Sequence, residues 1–197
     1  ATVTFLSAIY EHSRQTSFIV IRDISEKFER QALFDALTNL PNRRGIQKFI
    51  VHEINRARRQ QEDLTLILCD IDRFKQVNDN YGHDGGDIAL KHVADLFKET
   101  IREQDGVARW GGEEFLFVLP TTNENNGVVL AEKIRETLQS TPVPIKNTSL
   151  TITASFGVAQ IHLENGLNNA LSLADKALYR AKENGRNKVL SASSLAP

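Results

Sequence analysis

The sequence predicts an α+β domain in which helices surround a mixed, largely antiparallel central sheet. Apolar residues recur at helical spacing in several segments, and the stripe containing Leu167, Leu171 and Leu178 is the clearest. Short apolar runs of strand length lie between these segments, and two of them flank Gly111 and Gly112 as in a hairpin. The order helix, strand, helix, hairpin, helix, strand, helix is typical of helices layered on one sheet.

Residues 64–72 form the clearest strand. They are almost continuously apolar, so we expect this strand to be central and covered on both faces. The strand ends in Asp70 and Asp72, which the two-residue period of a strand places on the same face. Burying a carboxylate costs free energy unless it is paired or bound to a metal. These two aspartates are therefore candidates for a site.

The hairpin around residues 106–119 contains a second acidic pair. Because glycine adopts positive φ angles readily, Gly111 and Gly112 predict a tight two-residue turn. Glu113 and Glu114 follow it, and the bare glycine backbone would let a ligand approach closely. An adjacent pair of carboxylates can hold a divalent cation. The alternative is a solvated hairpin with two surface glutamates.

Other elements follow from periodicity and turn residues. The remaining predictions are a helix from about 43 to 61, a short helix at 74–78, a polar loop at 81–87, a helix to about 101, a helix from a capping box at Thr121 and Glu124 to about 139, a loop at Pro142 and Pro144, a strand over 150–159 and a short final strand at 188–190.

The first 36 residues are predicted to lie outside this domain. Residues 1–24 suggest two strands and residues 25–36 a helix with Phe28, Ala32 and Leu33 on one side. That helix either connects domains and dimerises with its twin, or packs on its own domain as an amphipathic helix. Because the chain contains no Met, we expect it to be part of a longer protein whose upstream portion supplies a sensor or membrane anchor.

Composition limits the possible classes. Hydrophobic residues make up 41% and charged residues 25%, which is typical of a soluble globular protein. The formal net charge of −1 argues against binding long nucleic acid. Cys69 is the only cysteine, so an intrachain disulfide is excluded and a cytoplasmic, reducing location is expected.

The acidic residues favour one kind of chemistry. Three elements are expected to converge: the strand end at residues 70–72, the hairpin tip at 113–114, and the segment 78–87. Carboxylates without histidine or thiolate partners suit Mg²⁺ or Mn²⁺, which usually completes its shell with water and phosphate oxygens. The pattern therefore favours metal-assisted phosphoryl transfer from a nucleotide.

Several motifs, in order along the chain, together identify a family. They are Leu37-Thr38-Asn39-Leu40-Pro41-Asn42-Arg43, Asp70-Ile71-Asp72-Arg73-Phe74-Lys75, Asn78-Asp79, Gly82-His83-Asp84-Gly85-Gly86-Asp87, Gly111-Gly112-Glu113-Glu114-Phe115, Ser155-Phe156-Gly157-Val158, and Ala174-Asp175 through Lys182 to Gly185-Arg186-Asn187. Over about residues 33–190 the chain resembles GGDEF-family diguanylate cyclases, in the form with two glutamates. The resemblance implies a GGDEF domain with the palm-like fold of nucleotidyl cyclases.

The resemblance also implies a metal site and catalytic residues. Asp70, the Ile71 carbonyl, Glu113 and Glu114 match metal ligands. Glu113 also matches the base for the ribose 3′-hydroxyl, and Lys75 matches a catalytic contact to phosphate. Asp72 has no such match, and we interpret it as a hydrogen-bonding helix cap.

Further positions match substrate contacts. Asn78 and Asp87 resemble guanine readers, since a carboxylate accepts from guanine N1–H and N2–H, which adenine does not offer together. Their other interpretation is a turn residue and a helix N-cap. The remaining matches are His83 near the nucleotide, Gly111 and Gly112 at the triphosphate, and Lys182 and Arg186 at phosphate. The alternatives are a hydrogen-bonded structural role for His83 and, for the two cations, a favourable place near the C-terminal end of a helix dipole.

Arg102 and Asp105 resemble the Arg-x-x-Asp site at which the product inhibits the enzyme. The alternative is a surface ion pair worth about 0.2–0.5 kcal/mol. A secondary arginine of the family falls at Lys133, which puts cross-subunit inhibition in question. Residues 1–24 resemble the last strands of a PAS sensor domain. The expected division is 1–24 PAS-like, 25–36 signalling helix, 37–191 GGDEF domain and 192–197 tail.

The resemblance predicts a function with named partners. Two GTP molecules would condense to cyclic di-GMP with release of two pyrophosphates, in a homodimer that uses Mg²⁺ or Mn²⁺. Cyclic di-GMP would be both product and inhibitor, and an upstream sensor would regulate dimerisation. The alternatives are a silent module that binds GTP or cyclic di-GMP, an enzyme making another dinucleotide, and a plain dimerisation domain.

Overall fold

The computed structural model describes Arg22, residues 27–145 and residues 148–195. The predicted PAS-like strands in residues 1–24 lie outside the described residues, apart from Arg22. Arg22 is helical, whereas the second predicted strand includes it.

The fold belongs to the α+β class, as predicted, and it is built on one central sheet. It has five strands in the order β2-β3-β1-β6-β7, and all neighbours are antiparallel except β6 and β7. Its strands are β1 (Leu64–Ile71), β2 (Gly106–Arg109), β3 (Glu114–Pro120), β6 (Ala154–Gln160) and β7 (Val189–Ser191). A small second sheet pairs β4 (Val143–Ile145) with β5 (Thr148–Leu150).

Helices cover both faces of the central sheet. They are α1 (27–33), α2 (Arg43–Gln60), α3 (Phe74–Thr100), α4 (Glu124–Ser140) and α5 (Gly166–Glu183), and a 3₁₀ turn follows at Ser193–Leu195. Every residue of β1 is buried, as expected for a central strand. Its side chains alternate between two cores: Ile67 and Cys69 belong to one, Leu66 and Leu68 to the other.

Helix α1 is exposed over almost its whole surface. Phe28 is 68% exposed, and Ala32, one helical turn later, is also exposed. The interpretation that this helix packs on its own domain is therefore wrong. Hydrogen bonds of Asn42 to the carbonyls of Ala32 and Phe34 fix the exit from α1.

Four local predictions were wrong. Residues 83–87 are helical rather than a loop, because α3 is interrupted only at Gly82, where φ is 74°. The predicted strand over 150–159 is divided, since β5 ends at Leu150 and β6 begins at Ala154. The predicted loop at Pro142 and Pro144 contains β4.

The predicted capping box at α4 is the fourth error. The N-cap is Asn123, whose side chain accepts a hydrogen bond from the Asn126 amide, whereas Thr121 has a positive φ of 51° and bonds to Glu62. Asparagine is among the preferred N-cap residues, so it replaces Thr121 in this role.

Candidate active site

Asp70 lies at the centre of the candidate site. It is one residue from the end of β1, directly between Glu114 of β3 and Ser155 of β6 in the sheet register, and it is 7% exposed. Burial raises the pKa of its carboxyl, and Asp72 raises it further, while a bond from Lys182 and the charge of Arg186 act against this rise. Lys182 Nζ lies 2.8 Å from Asp70 Oδ2, so α5 supplies the countercharge.

The acidic pair of the hairpin lies beside Asp70, as the sequence led us to expect. The Ile71 amide donates to the Glu113 carbonyl at 3.2 Å, which joins the hairpin tip to the end of β1. Glu113 is half-buried, and burial, followed by the charges of Asp70 and Glu114, raises the pKa of its carboxyl; Lys182 opposes that rise. Three carboxylates and one lysine thus influence one another here.

The turn itself differs from the predicted two-residue hairpin. Residues 110–113 separate β2 from β3, and the Trp110 and Gly111 amides donate to the Glu114 carbonyl at 2.8 and 3.2 Å. Neither Gly111 nor Gly112 has a positive φ. What glycine provides is space: a Cβ at Gly111 would collide with Glu114 Oε2, and a Cβ at Gly112 would meet no atom within 4 Å.

Arg109 connects this turn to the segment after α1. Its Nη1 donates to Asp35 Oδ1 at 3.0 Å, and its Nε and Nη2 donate to the Gly112 carbonyl at 3.1 and 2.6 Å. Asp35 also accepts from the amide and hydroxyl of Thr38. The Asp35 carboxylate therefore fixes both the loop before α2 and, through Arg109, the glycine turn.

A cation–π contact supports the other side of the turn. The guanidinium of Arg43, the first residue of α2, lies 4.5 Å from the centre of the Trp110 ring. The sequence analysis did not predict the contacts through which Asp35, Arg109 and Trp110 support the glycine turn. None of the three lies in the motifs quoted above, and no spacing rule predicts pairing across 74 residues.

The Asp35–Arg109 pair gives a testable pH dependence. Burial raises the pKa of Asp35, but the bonds from Thr38 and the Arg109 guanidinium outweigh burial, so the pKa of Asp35 lies below its usual value. A depressed carboxyl pKa adds stability that is present above the unfolded pKa of about 3.9 and is lost as pH falls through the folded pKa. We expect Asp35→Asn to lower the free energy of unfolding by about 1.5 kcal/mol at pH 7.

Urea unfolding between pH 7 and pH 3 measures this effect. The difference between Asp35→Asn and the parent chain should begin to shrink below about pH 4 and should be lost as pH falls through the lower pKa of folded Asp35, where its carboxyl becomes neutral. Asp95→Asn, on the exposed face of α3, is the charge-matched control. A difference that stays constant with pH would show that the Asp35 charge does not stabilise the fold.

The donor set fits Mg²⁺ or Mn²⁺. Carboxylate oxygens of Asp70, Glu113 and Glu114 are hard ligands, and Mg²⁺ bound by one or two carboxylates completes its shell with water and substrate phosphates. Among the described residues no group of three or more acidic, histidine or cysteine side chains is arranged so that it could hold a metal ion by itself.

Helix α3 carries the predicted guanine readers. The break at Gly82 separates the turn bearing Asn78 from the turn bearing Asp87. A Cβ at Gly86 would collide with Asn78 Oδ1, so this glycine lets the Asn78 amide lie against the second half of the helix. Asn78 is half-buried and Asp87 is exposed. Sequence reasoning did not assign Gly86 this role.

Lys75 and His83 are exposed on the same helix. Within the part of the chain that the structure describes, no hydrogen bond or ion pair joins Lys75, His83 or Asp87 to the carboxylates at Asp70 and Glu113. Their roles at a nucleotide stay predictions.

Lys182 and Arg186 lie around the C-terminal end of α5, next to the carboxylates. Lys182 pairs with Asp70, and the charge of Arg186 lowers the pKa of Asp70. Beside them an open cavity of about 920 Å³ is bordered by both strand and helix residues. Its lining includes Glu114, Asp175, Tyr179, Arg180, Lys182 and Leu195.

Asp72 is not a helix cap. The N-cap of α3 is Arg73, which makes no capping bond through its side chain. The Asp72 carboxylate instead accepts from the hydroxyls of Thr153 and Ser155 and from the Asn187 amide, at 2.8, 2.7 and 2.9 Å. The prediction of a hydrogen-bonding role is correct, but its partners lie across the sheet rather than in α3.

Arg102 and Asp105 lie away from the carboxylates, in the turn between α3 and β2. They are joined by a bond from the Arg102 amide to Asp105 Oδ2 at 3.1 Å rather than by a side-chain ion pair. Burial raises the pKa of Asp105. A cavity of about 470 Å³ includes both residues and is bordered by Phe49 and Ile101. Lys133 is exposed on α4.

Comparison with known families agrees with this geometry. The family model described as "Diguanylate cyclase, GGDEF domain" matches residues 32–188. This match covers most of the chain, which therefore belongs to the GGDEF family of diguanylate cyclases.

Curated relatives share sequence over the same region. The chain is 38% identical over 164 residues to diguanylate cyclase DgcP of Pseudomonas aeruginosa, covering 83% of this chain and 24% of that protein. It is 35% identical over 172 residues to diguanylate cyclase DosC of Escherichia coli, covering 86% of this chain and 37% of that protein. The chain thus spans well under half of these relatives.

Solved structures share the fold. The coiled coil and GGDEF domain of DgcB from Caulobacter crescentus, in complex with c-di-GMP, matches with a TM-score of 0.86 at 29% identity, over 94% of this chain and 98% of that one. The active GGEEF domain of a diguanylate cyclase from Vibrio cholerae matches with a TM-score of 0.71 at 36% identity, over 77% of this chain and 96% of that one. None of the helices in the described part of the chain has the length and apolar character needed to cross a membrane.

Proposed function

We propose that this chain condenses two molecules of GTP into cyclic di-GMP with release of two pyrophosphates. The observation that carries the proposal is the convergence of Asp70, Glu113 and Lys182 at adjacent strand and hairpin ends. Two carboxylates beside a lysine at one half-exposed edge form a site for a metal-bound triphosphate.

Each residue has a role in the proposed reaction. Asp70, the Ile71 carbonyl, Glu113 and Glu114 hold the metal, which when bound polarises the phosphate and lowers the pKa of the attacking hydroxyl. Glu113 accepts the proton of the ribose 3′-hydroxyl as a positioned general base. Lys75, Lys182 and Arg186 neutralise the triphosphate.

Each transfer step exchanges one bond at the α-phosphorus for another. The 3′-oxygen of one GTP forms a bond to the α-phosphorus of the other, the bond from that phosphorus to the β-phosphate oxygen breaks, and pyrophosphate leaves. A second, equivalent transfer closes the ring. Since one chain offers one such site, two subunits must face each other, and proximity supplied by dimerisation regulates the rate.

Guanine selection is assigned to α3. Asn78 and Asp87 read the guanine edge, with His83 nearby, and a site that leaves the Asp87 carboxylate unpaired discriminates strongly against adenine. Arg102 and Asp105 are proposed to bind cyclic di-GMP as an inhibitor. The cavity of about 470 Å³ that includes these two residues supports this assignment.

We also propose that α1 connects an upstream, PAS-like sensor to a cytoplasmic catalytic domain and pairs with its twin. The exposed Phe28 and Ala32, one turn apart, supply an apolar edge for that pairing. The solved relative from Caulobacter crescentus, which contains a coiled coil, covers 94% of this chain.

Chromatographic product analysis tests the proposed activity. Incubation with GTP and Mg²⁺ should yield cyclic di-GMP and pyrophosphate in a 1:2 ratio, with none after chelation and none from ATP alone. The rate per chain should rise with chain concentration. GTP binding without product, at a concentration where sedimentation shows a dimer, would overturn the cyclase proposal in favour of a binding module.

Gly112→Ala separates folding from nucleotide binding. The added Cβ meets no atom within 4 Å, and Gly112 has no positive φ, so we expect the thermal midpoint to stay unchanged. If the triphosphate approaches this backbone, the methyl group should raise the KM for GTP by about tenfold, which corresponds to about 1.4 kcal/mol. An unchanged KM would remove Gly112 from the substrate contacts.

A further inference from the structure

The segment that carries Arg186 has an unusual backbone. Gly185, Arg186 and Asn187 have φ angles of 105°, 64° and 47°. Three consecutive residues in the left-handed region, two of them with side chains, do not adopt this conformation without support from their surroundings. The contacts that hold this segment therefore determine where the Arg186 guanidinium is placed.

Asp72 is one anchor of the segment. Its Oδ2 accepts from the Asn187 amide at 2.9 Å and from Thr153 Oγ1 at 2.8 Å, and its Oδ1 accepts from Ser155 Oγ at 2.7 Å. The Asp72 amide also donates to the Thr153 carbonyl at 2.8 Å. The carboxylate is thus fixed by the start of β6 and in turn holds the residue that follows Arg186.

Helix α4 supplies the second anchor. The Asn187 side chain accepts from Arg135 Nη1 at 3.2 Å and donates to Gln139 Oε1 at 3.0 Å. Arg135 is itself held by Glu132, whose Oε2 lies 2.6 Å from Arg135 Nε. Asn187 is therefore bound through its backbone by Asp72 and through its side chain by α4.

From these contacts we propose that Asp72 is a positioning residue for the triphosphate of GTP, acting through Asn187 on Arg186. The proposal rests on the proposed function, because Arg186 is assigned to phosphate there. It gives Asp72 a role distinct from that of Asp70, two residues earlier, whose carboxylate faces Lys182 and the metal site. All three partners of the Asp72 side chain are protein donors, and they occupy most of the acceptor sites of its carboxylate.

The decisive variant is Asp72→Ala, compared with Asp72→Asn. Alanine leaves the Asn187 amide without its acceptor, whereas asparagine keeps an acceptor for that amide and a group that the Ser155 hydroxyl can pair with. We expect Asp72→Ala to raise the KM for GTP about tenfold with a smaller change in kcat, and Asp72→Asn to stay within about threefold of the parent chain. Asp95→Asn should equal the parent chain.

A phosphate-free probe distinguishes positioning from general damage. The Kd of guanosine, measured by ligand-detected NMR titration, should remain within about twofold in Asp72→Ala, because guanosine has no phosphate for Arg186 to contact. Hydrogen exchange of the Asn187 amide should become faster in the same variant, whether or not GTP is turned over. Equal losses for GTP and guanosine, or an unchanged KM, would overturn the proposal.

Two other outcomes are also decisive. If Asp72→Ala does not fold, Thr153→Val removes one donor from the same oxygen with little change of shape, and it should raise the KM for GTP about threefold; an unchanged KM would overturn the proposal. If the parent chain itself binds no GTP, the proposed function fails as well. Faster exchange at Asn187 would then still show that Asp72 anchors the segment.

Discussion

Glu113→Gln is expected to lower the rate of cyclic di-GMP formation by about 10²–10⁴-fold, the usual contribution of a positioned general base. Glutamine has nearly the same size as glutamate but neither accepts the proton of the 3′-hydroxyl nor binds a cation as strongly. The loss should appear mainly in kcat, since the proposed guanine and phosphate contacts are made by groups other than the Glu113 side chain.

The location of Glu113 makes this variant informative. Its side chain makes no hydrogen bond within the described part of the chain, and what joins the turn to β1 is its backbone carbonyl, which the substitution leaves intact. We therefore expect the thermal midpoint to stay within about 2 °C of the parent chain. Glu99→Gln, on the exposed face of α3, is the charge-matched control.

Quantified product in initial-rate assays, with thermal unfolding of the same samples, measures the effect. A folded Glu113→Gln variant that keeps more than about a tenth of the parent rate would remove Glu113 from the chemistry. The assignment of the base would then have to move to Glu114, the cross-strand neighbour of Asp70.

The sequence was sufficient for the parts of the fold that depend on periodicity. The fully buried β1 follows from a continuous apolar run, and α5 follows from its small and branched stripe. These two elements follow from burial and alternation, which are local properties of the chain. The convergence of Asp70 and Glu113 was expected on the condition that the central strand neighbours the hairpin, and β1 does pair with β3.

The wrong predictions for the loop at 81–87 and for the glycine turn have physical reasons. Gly82 breaks α3 with one positive φ, whereas the residues that follow it stay helical. They include two more glycines, Gly85 and Gly86, which pack closely against Tyr81 and Asn78. The prediction of positive φ angles at Gly111 and Gly112 was wrong for a similar reason. Glycine there provides room for Glu114 rather than a left-handed backbone.

The supporting contacts of the site could not be predicted from spacing at all. Asp35 meets Arg109 across 74 residues, and Asp72 meets Asn187 across 115. The first pair joins the segment after α1 to β2, and the second joins the end of β1 to the segment between α5 and β7. The sheet order β2-β3-β1-β6-β7, with β7 added in parallel beside β6, decides which polar groups become neighbours.

Gly157 controls how closely α5 approaches the sheet. It lies on β6 opposite Leu68 of β1. A Cβ at this position would collide with the Ala174 carbonyl oxygen and lie 2.5 Å from the Leu178 amide nitrogen. Both are backbone atoms of α5, so no side-chain rotation relieves the overlap, and the whole helix must move outward.

We therefore expect Gly157→Ala to destabilise the protein by about 3 kcal/mol, the upper part of the usual range for overpacked cores. For a domain of this size the thermal midpoint should fall by about 6–12 °C. Lys182, on the same helix, would move away from Asp70, so cyclase activity should fall even at temperatures where the variant is folded.

Calorimetry and initial rates on one preparation test both consequences. Gly112→Ala is the matched control for calorimetry alone, because its added Cβ meets open space whereas its KM for GTP is expected to rise. A midpoint within about 1 °C of the parent chain would show that α5 accommodates the methyl group without cost. Loss of activity together with an unchanged midpoint would instead mean that α5 shifts freely on the sheet. In that case Gly157 would set the 2.8 Å contact between Lys182 and Asp70 without contributing to the stability of the fold.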